Sequence, residues 1–369
     1  MKVFAGCLVF IALCPQLGAQ EPDAAKYLRA LAANSSAQDA ELHVPVGLSA
    51  ATYEDKTPTS AQQPKIKPAR KAVQSKQLKR TKIGASMVGY IESSSVQSQV
   101  RVRIDAGFDN PRPDRAEYFY AGTAVPPTGP VQQSLNFQEV YFLGEYAPRQ
   151  RFSCFAMVPI RWIQPILVPD SAPAGIPASP QAGGGVSDVQ AGLRLAALAS
   201  VSRRVTFQVG ISFPTGDGDN GLGTGHSGIE PKVLAFQKLS DRFAIEAEAG
   251  DSHPFGGTKF AGTQASSPPQ NFAADVAMYG LGPSYEMIRR KEYSLAPVLE
   301  IVSWHVFGGL QTGANNIVQS AAGINVLNAK LGARASFSNG SSIYAGYGRG
   351  LTSDIWYRNL FRVEYRRSF

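Results

Sequence analysis

An all-β chain that closes as an antiparallel transmembrane β-barrel of about twelve strands is predicted by three features: segments of roughly ten residues that alternate in polarity, connections that alternate short and long, and an aromatic last strand. The carboxyl-terminal stretch shows the alternation most clearly. Tyr357, Phe361, Val363, Tyr365 and the last residue, Phe369, share one face, while Arg358, Arg362, Glu364 and Arg366 fill the other. Successive side chains of a strand point to opposite sides, so this segment has one greasy and one ionised face.

The first strand has the same arithmetic. Val96, Ser98, Val100, Val102, Ile104 and Ala106 oppose Gln97, Gln99, Arg101, Arg103 and Asp105. A face with three ionised residues does not fit a dry sheet, because unpaired buried charge costs several kcal/mol. That face is expected to line a wet interior. Val189, Ala191, Leu193 and Leu195 against Asp188, Gln190 and Arg194 repeat the pattern, as do residues 205–213 and 327–337. Weaker members fall at 134–146, 152–162, 229–239, 243–250, 272–287, 293–304 and 342–350.

Turn lengths are an independent check. Short connections at Ala147–Arg151, Ala199–Arg204, Ser240–Arg242, Ile288–Glu292 and Ser338–Ser341 alternate with long ones at Asp109–Gln133, Ile163–Val186, Pro214–Gly228, Asp251–Asn271 and His305–Gly323. Bacterial barrels have short periplasmic turns, long outer loops and an even strand number. A soluble β-sandwich also alternates, but it does not require the long-short rhythm. Tyr141, Phe142, Tyr146, Phe152, Trp162, Phe213, Phe243, Phe272, Tyr293, Trp304, Trp356 and Tyr357 lie mostly near strand ends, where interfacial girdles are expected.

Residues 1–19 read as a secretory signal: Lys2 precedes an apolar run from Val3 to Leu13, and Leu17-Gly18-Ala19 supplies the cleavage site. Cys7 and Cys14 leave with it, and Cys154 alone makes no internal disulfide. His43, His226, His253 and His305 lie far apart in sequence, so no metal and no cofactor is expected. Residues 20–95 form an arm with one short helix, Asp23 to Ala33, and too little apolar material for a core. Lys65, Lys67, Arg70, Lys71, Lys76, Lys79, Arg80 and Lys82 give residues 65–82 a positive run, read as a solvated periplasmic tether. Export removes nucleic acid as a partner. The remaining polyanions are lipid phosphates and cell-wall polymer.

Gly185–Arg194, with Asp188, Gln190, Gly192 and Leu193, resembles the G-x-x-D-x-Q-x-G-L-[KR] strand of outer-membrane transporters associated with the meta-cleavage pathway of phenol degradation. Phe213-Pro214-Thr215-Gly216-Asp217, followed by Gly223-Thr224-Gly225 and Glu230, is similar to that family's P-T-G-D loop. Pro297-Val298-Leu299-Glu300 resembles its P-x-x-E strand. The likeness covers residues 96–369 and implies a barrel in the outer membrane, among lipid and lipopolysaccharide. Phe369 resembles the signal read by the barrel assembly machinery, with Arg367 where a hydrophobic residue is usual. Gly216, Gly218, Gly221, Gly223 and Gly225 let an outer loop turn tightly or fold back into the pore.

Strands one and twelve are expected to meet and place Arg101, Arg103 and Asp105 beside Arg358, Arg362, Glu364 and Arg366. Opposite them Glu230, Glu246, Glu248, Asp275 and Glu300 form an acidic sector. Opposed charged walls select polar or amphipathic solutes. The expected function is a passive channel for small solutes, with aromatic or hydrophobic compounds implied by the resemblance and no chemistry of its own. One alternative is a plugged barrel that anchors the basic arm to the cell wall or a partner. Another is a barrel lipid hydrolase using Ser303 and His305, for which no third member is identified.

Overall fold

A computed structural model describes residues 86–110, 132–167, 182–218, 220–256, 273–312 and 318–369. The expected signal, the helix at 23–33, the basic run at 65–82, Asp219 and Phe272 lie outside these residues. Twelve antiparallel strands form a closed ring. They are β1 (Gln99–Asn110), β2 (Gln132–Arg149), β3 (Phe152–Leu167), β4 (Val189–Ala199), β5 (Arg203–Phe213), β6 (Ser227–Lys238), β7 (Phe243–Phe255), β8 (Val276–Tyr285), β9 (Tyr293–Val306), β10 (Asn325–Phe337), β11 (Ser341–Gly350) and β12 (Asn359–Ser368). Each pairs with its sequence neighbours, and β12 pairs with β1. Closure leaves none of these twelve strands as the edge of a sheet, which removes the main aggregation hazard of an open one. Short additions pair Gly183–Val186 with β3 and Ile288–Arg289 with β9, and a hairpin joins Leu310–Thr312 to Val318–Ser320.

The period of two sorts the side chains as the sequence predicts. Every strand contributes a large exposed apolar residue to the outer surface: Val100, Phe142, Val158, Leu193, Phe207, Val233, Phe255, Leu281, Leu299, Leu331, Ile343 and Phe361 in turn. A ring of such residues is stabilised by hydrocarbon and not by water. Their inward neighbours on β1, Gln99, Arg101 and Asp105, are buried. Val102 lies on the outer face between Phe142 and Tyr365 in register. Val102→Arg is therefore expected to lower folding stability in lipid by about 2–4 kcal/mol, while Gln99→Arg, set against the Glu145 carboxylate, changes it less. Urea titration of both variants in lipid vesicles checks this, and equal costs would mean the two faces are assigned wrongly.

Four expectations change at the strand ends. β1 starts at Gln99, so Val96 lies in the interior with Ala147 and Ala196 rather than on the outer face. β12 starts at Asn359, which frees Tyr357 from the alternation, and its side chain is buried. Trp356 is also buried, and its ring lies 4.8 Å from that of Trp304. These three aromatics belong to an apolar cluster inside the ring, with Trp304 partly buried against it, and not to a membrane girdle. Aromatic residues near strand ends satisfy either role, and only the path of the chain between β11 and β12 distinguishes them.

Candidate functional site

The interior of the ring is crossed by the chain itself. The division at residue 95 leaves residues 86–95 in the arm, yet here this stretch runs among the inward side chains of the barrel. On one side its amides donate to carboxylates of β7 and β9. Met87 N–H reaches Glu246 Oε1 at 2.9 Å, and Glu92 N–H reaches Glu248 Oε2 at 2.8 Å. Gly89, Tyr90 and Ile91 all donate to Glu300, at 3.0, 2.8 and 2.9 Å. On the other side its carbonyls accept from arginines of β10 and β12. Arg334 donates to Met87 O and Val88 O, Arg362 to Gly89 O, and Arg366 to Val88 O.

The inserted backbone thus lies between acidic side chains of β7 and β9 and basic side chains of β10 and β12. The chain bends at residues 89–91, which lets three successive amides converge on the Glu300 carboxylate while neighbouring carbonyls turn to the arginines. Charge-assisted hydrogen bonds of this kind contribute about 1.5–3 kcal/mol each. Further along, Glu92 pairs with Arg101 at 3.2 Å and Arg194 at 3.1 Å, and the Thr206 hydroxyl donates to Ser94 O. Gly89 lets the segment approach: a Cβ there would lie 2.3 Å from the Tyr344 ring.

The expected wall residues meet different partners. Arg362 grips Asp105 with two bonds of 2.7 Å, and Arg103 lies 3.5 Å from the same carboxylate. Glu364, fully buried, is a hub for Arg334 at 2.8 Å, Arg366 at 2.5 Å and Arg101 at 3.6 Å. Glu230 pairs with Lys232 at 3.1 Å. Glu246, Glu248 and Glu300 hold the inserted segment. Two expectations fail. Arg358 precedes β12 and is 59% exposed at the rim, 3.9 Å from Asp109. Asp275 precedes β8 and is 45% exposed, bonded to His253 at 2.5 Å. Both lie outside the regular strand, where the period of two no longer fixes direction.

Sequence distance also hid one grouping. Asp251, His253 and Asp275 bring their ligand atoms within 4.8 Å of one another, although pairing of β7 with β8 alone makes them neighbours. Ser303 and His305 each meet another partner. The buried Ser303 hydroxyl donates to Val326 O at 3.0 Å, and His305 Nδ1 meets Asn325 Oδ1 at 2.7 Å.

The loop between β5 and β6 folds back, as its glycines predict. Gly221 and Gly225 have φ of 75° and 73°, values that side chains strain to adopt. Asp188 fastens the loop by accepting from Gly216 N–H at 3.0 Å, Thr224 N–H at 2.6 Å and the Thr224 hydroxyl at 2.7 Å. Burial holds the His226 imidazole below its ordinary pKa, so the ring beside Thr224 O stays neutral at pH 7. Asp188→Ala removes all three acceptor contacts, an expected local loss of about 2–4 kcal/mol. Faster protease cleavage within 214–226 checks this, and unchanged cleavage would mean that the loop holds itself.

Between the loop end of the barrel and the inserted segment lies a cavity of about 270 Å³. Its wall includes Arg103, Asp105, Lys232, Trp304, Lys330 and Tyr357, with Tyr90 and Glu92 from the segment and Gly223 and Thr224 from the folded loop. It is polar on the strand side and aromatic towards β9 and the 351–358 connection.

No protein-family model and no curated protein matches the chain. Among solved structures it is similar to an outer-membrane channel from Pseudomonas putida F1, at 15% identity over 77% of this chain and 100% of that one, with a TM-score of 0.47. The β-domain of the Bordetella autotransporter BrkA matches at 11% identity, 74% and 100% coverage and a TM-score of 0.44. The KdgM porin matches at 8% identity, 73% and 99% coverage and a TM-score of 0.36. These are outer-membrane β-barrels, and likeness at this level assigns neither substrate nor activity.

Proposed function

We propose that the protein is a passive channel of the outer membrane whose lumen is narrowed by its own residues 86–98. The observation that carries this reading is the cavity above the inserted segment, walled by ionised and aromatic side chains inside a closed barrel with an apolar outer surface. Diffusion through such a path needs no cofactor, and the opposed walls discriminate by charge. The short turns face the periplasm in this reading, which puts the amino-terminal arm on the same side. The resemblance to phenol-degradation transporters supports small aromatic or amphipathic solutes.

The density of hydrogen bonds to residues 87–92 favours a second reading, a closed barrel that anchors the basic arm to an anionic partner such as cell-wall polymer. Single-channel recording of the refolded chain in planar lipid separates the two. Discrete, charge-selective conductance supports the channel. A silent barrel that also excludes small solutes from liposomes supports the anchor.

A further inference from the structure

Lys330 occupies an unusual position among the lumen cations. It is buried on β10, directly opposite Glu300 in the β9–β10 register. That pairing would ordinarily give a salt bridge. Here the inserted segment has taken the carboxylate. Glu300 accepts from Gly89, Tyr90 and Ile91 amides and from the Tyr344 hydroxyl at 3.1 Å. Among the described residues Lys330 makes no ion pair, and its ammonium donates no hydrogen bond.

Its neighbours are ring faces instead: Tyr90 at 3.9 Å, Trp304 at 5.5 Å and Tyr357 at 5.6 Å from the ammonium to the ring centroids. The Tyr357 hydroxyl is buried without a hydrogen-bond partner in the same wall. By contrast, the carboxylates lining the cavity are engaged. Glu92 meets Arg101 and Arg194, Asp105 meets Arg362, Glu139 meets Arg161, and Glu230 meets Lys232. Asp188 is held by the folded loop and Glu248 by an amide.

A desolvated ammonium and a phenol lacking acceptors make that wall receptive to an anion, since cation–π contact supplies only part of what water would. The surrounding Phe137, Met278, Trp304, Trp356 and Leu360 form an apolar wall. A volume of about 270 Å³ falls just below the roughly 300–1,000 Å³ of pockets for drug-sized ligands, so it suits a smaller molecule. We infer that the cavity is a binding site for small organic acids with a flat apolar body, and that Lys330 receives the carboxylate while the aromatic wall covers the ring. As a statement about the transported solute this rests on the channel reading; as a statement about binding it does not.

The test uses the full mature chain in detergent micelles at pH 7, with benzoate as probe and tryptophan fluorescence as readout, because Trp304 and Trp356 flank the site. Benzoate is expected to bind at least about tenfold more tightly than its neutral analogue benzyl alcohol, the scale of one charge-assisted hydrogen bond. Lys330→Met is expected to abolish that preference and Lys330→Arg to retain it, each variant first shown to be folded by its heat-dependent gel mobility. Equal binding of benzoate and benzyl alcohol overturns the inference, as does a preference that survives in Lys330→Met. Competition by chloride as strong as by benzoate overturns the apolar-bodied part, since it marks a simple anion site. A protein that binds benzoate selectively but carries no current leaves the inference standing and removes the channel reading. One that conducts without discriminating benzoate does the reverse.

Discussion

Deleting residues 20–95 is expected to raise single-channel conductance roughly tenfold, because it empties the lumen of a twelve-stranded barrel, whereas deleting 20–83 leaves conductance unchanged. The contrast depends on where the segment lies. Residues 87–92 make the bonds to Glu246, Glu248, Glu300, Arg334, Arg362 and Arg366, and the shorter deletion retains all of them. The larger one replaces these bonds by water, so charged walls that now face each other across the segment become walls of an aqueous path. Stability is expected to fall at the same time, although admitted water limits the loss. Recording both truncations in planar bilayers checks this. If the chain lacking 20–95 folds and conducts no more than the intact chain, the constriction lies elsewhere.

Glu364→Gln is expected to destabilise the barrel by about 3–5 kcal/mol, the largest effect anticipated for any single substitution. Its carboxylate is fully buried and holds Arg334, Arg366 and Arg101 together. Arg101 and Arg366 stand directly opposite each other where β1 and β12 close the ring, so loss of the anion leaves like charges facing across the seam. Glu230→Gln is the control. That residue pairs with Lys232 alone and retains partial exposure, so its loss is expected to cost about 1 kcal/mol or less. The urea midpoint of each variant in lipid vesicles reports the difference, and similar shifts would show that the seam does not depend on Glu364.

Most of the barrel was legible in the sequence because its physics is local. A strand that faces lipid on one side and a polar interior on the other must alternate, and Val100 to Asp105 and Phe361 to Arg366 do so without a break. The legibility ended at strand termini. Arg358, Tyr357 and Asp275 precede Asn359 or Val276, where the strand begins and below which the backbone no longer imposes the alternation. The segment from Met87 to Ile91 did leave a trace, a short uncharged apolar run after the basic stretch, but it is too brief to be distinguished from a linker by pattern alone.

Sequence alone determined the number of strands, their faces and the meeting of β1 with β12, because each follows from a period of two and from the order of connections. Only the tertiary structure decided what stands inside the ring. Gly89 and Glu300 are separated by more than half the chain, and no local pattern records that the carboxylates of β7 and β9 accept amide hydrogens from a segment that runs inside the ring. The same long-range contact takes Glu300 from Lys330 and leaves that ammonium facing the cavity among ring faces, which pairing in the sheet alone would not have done.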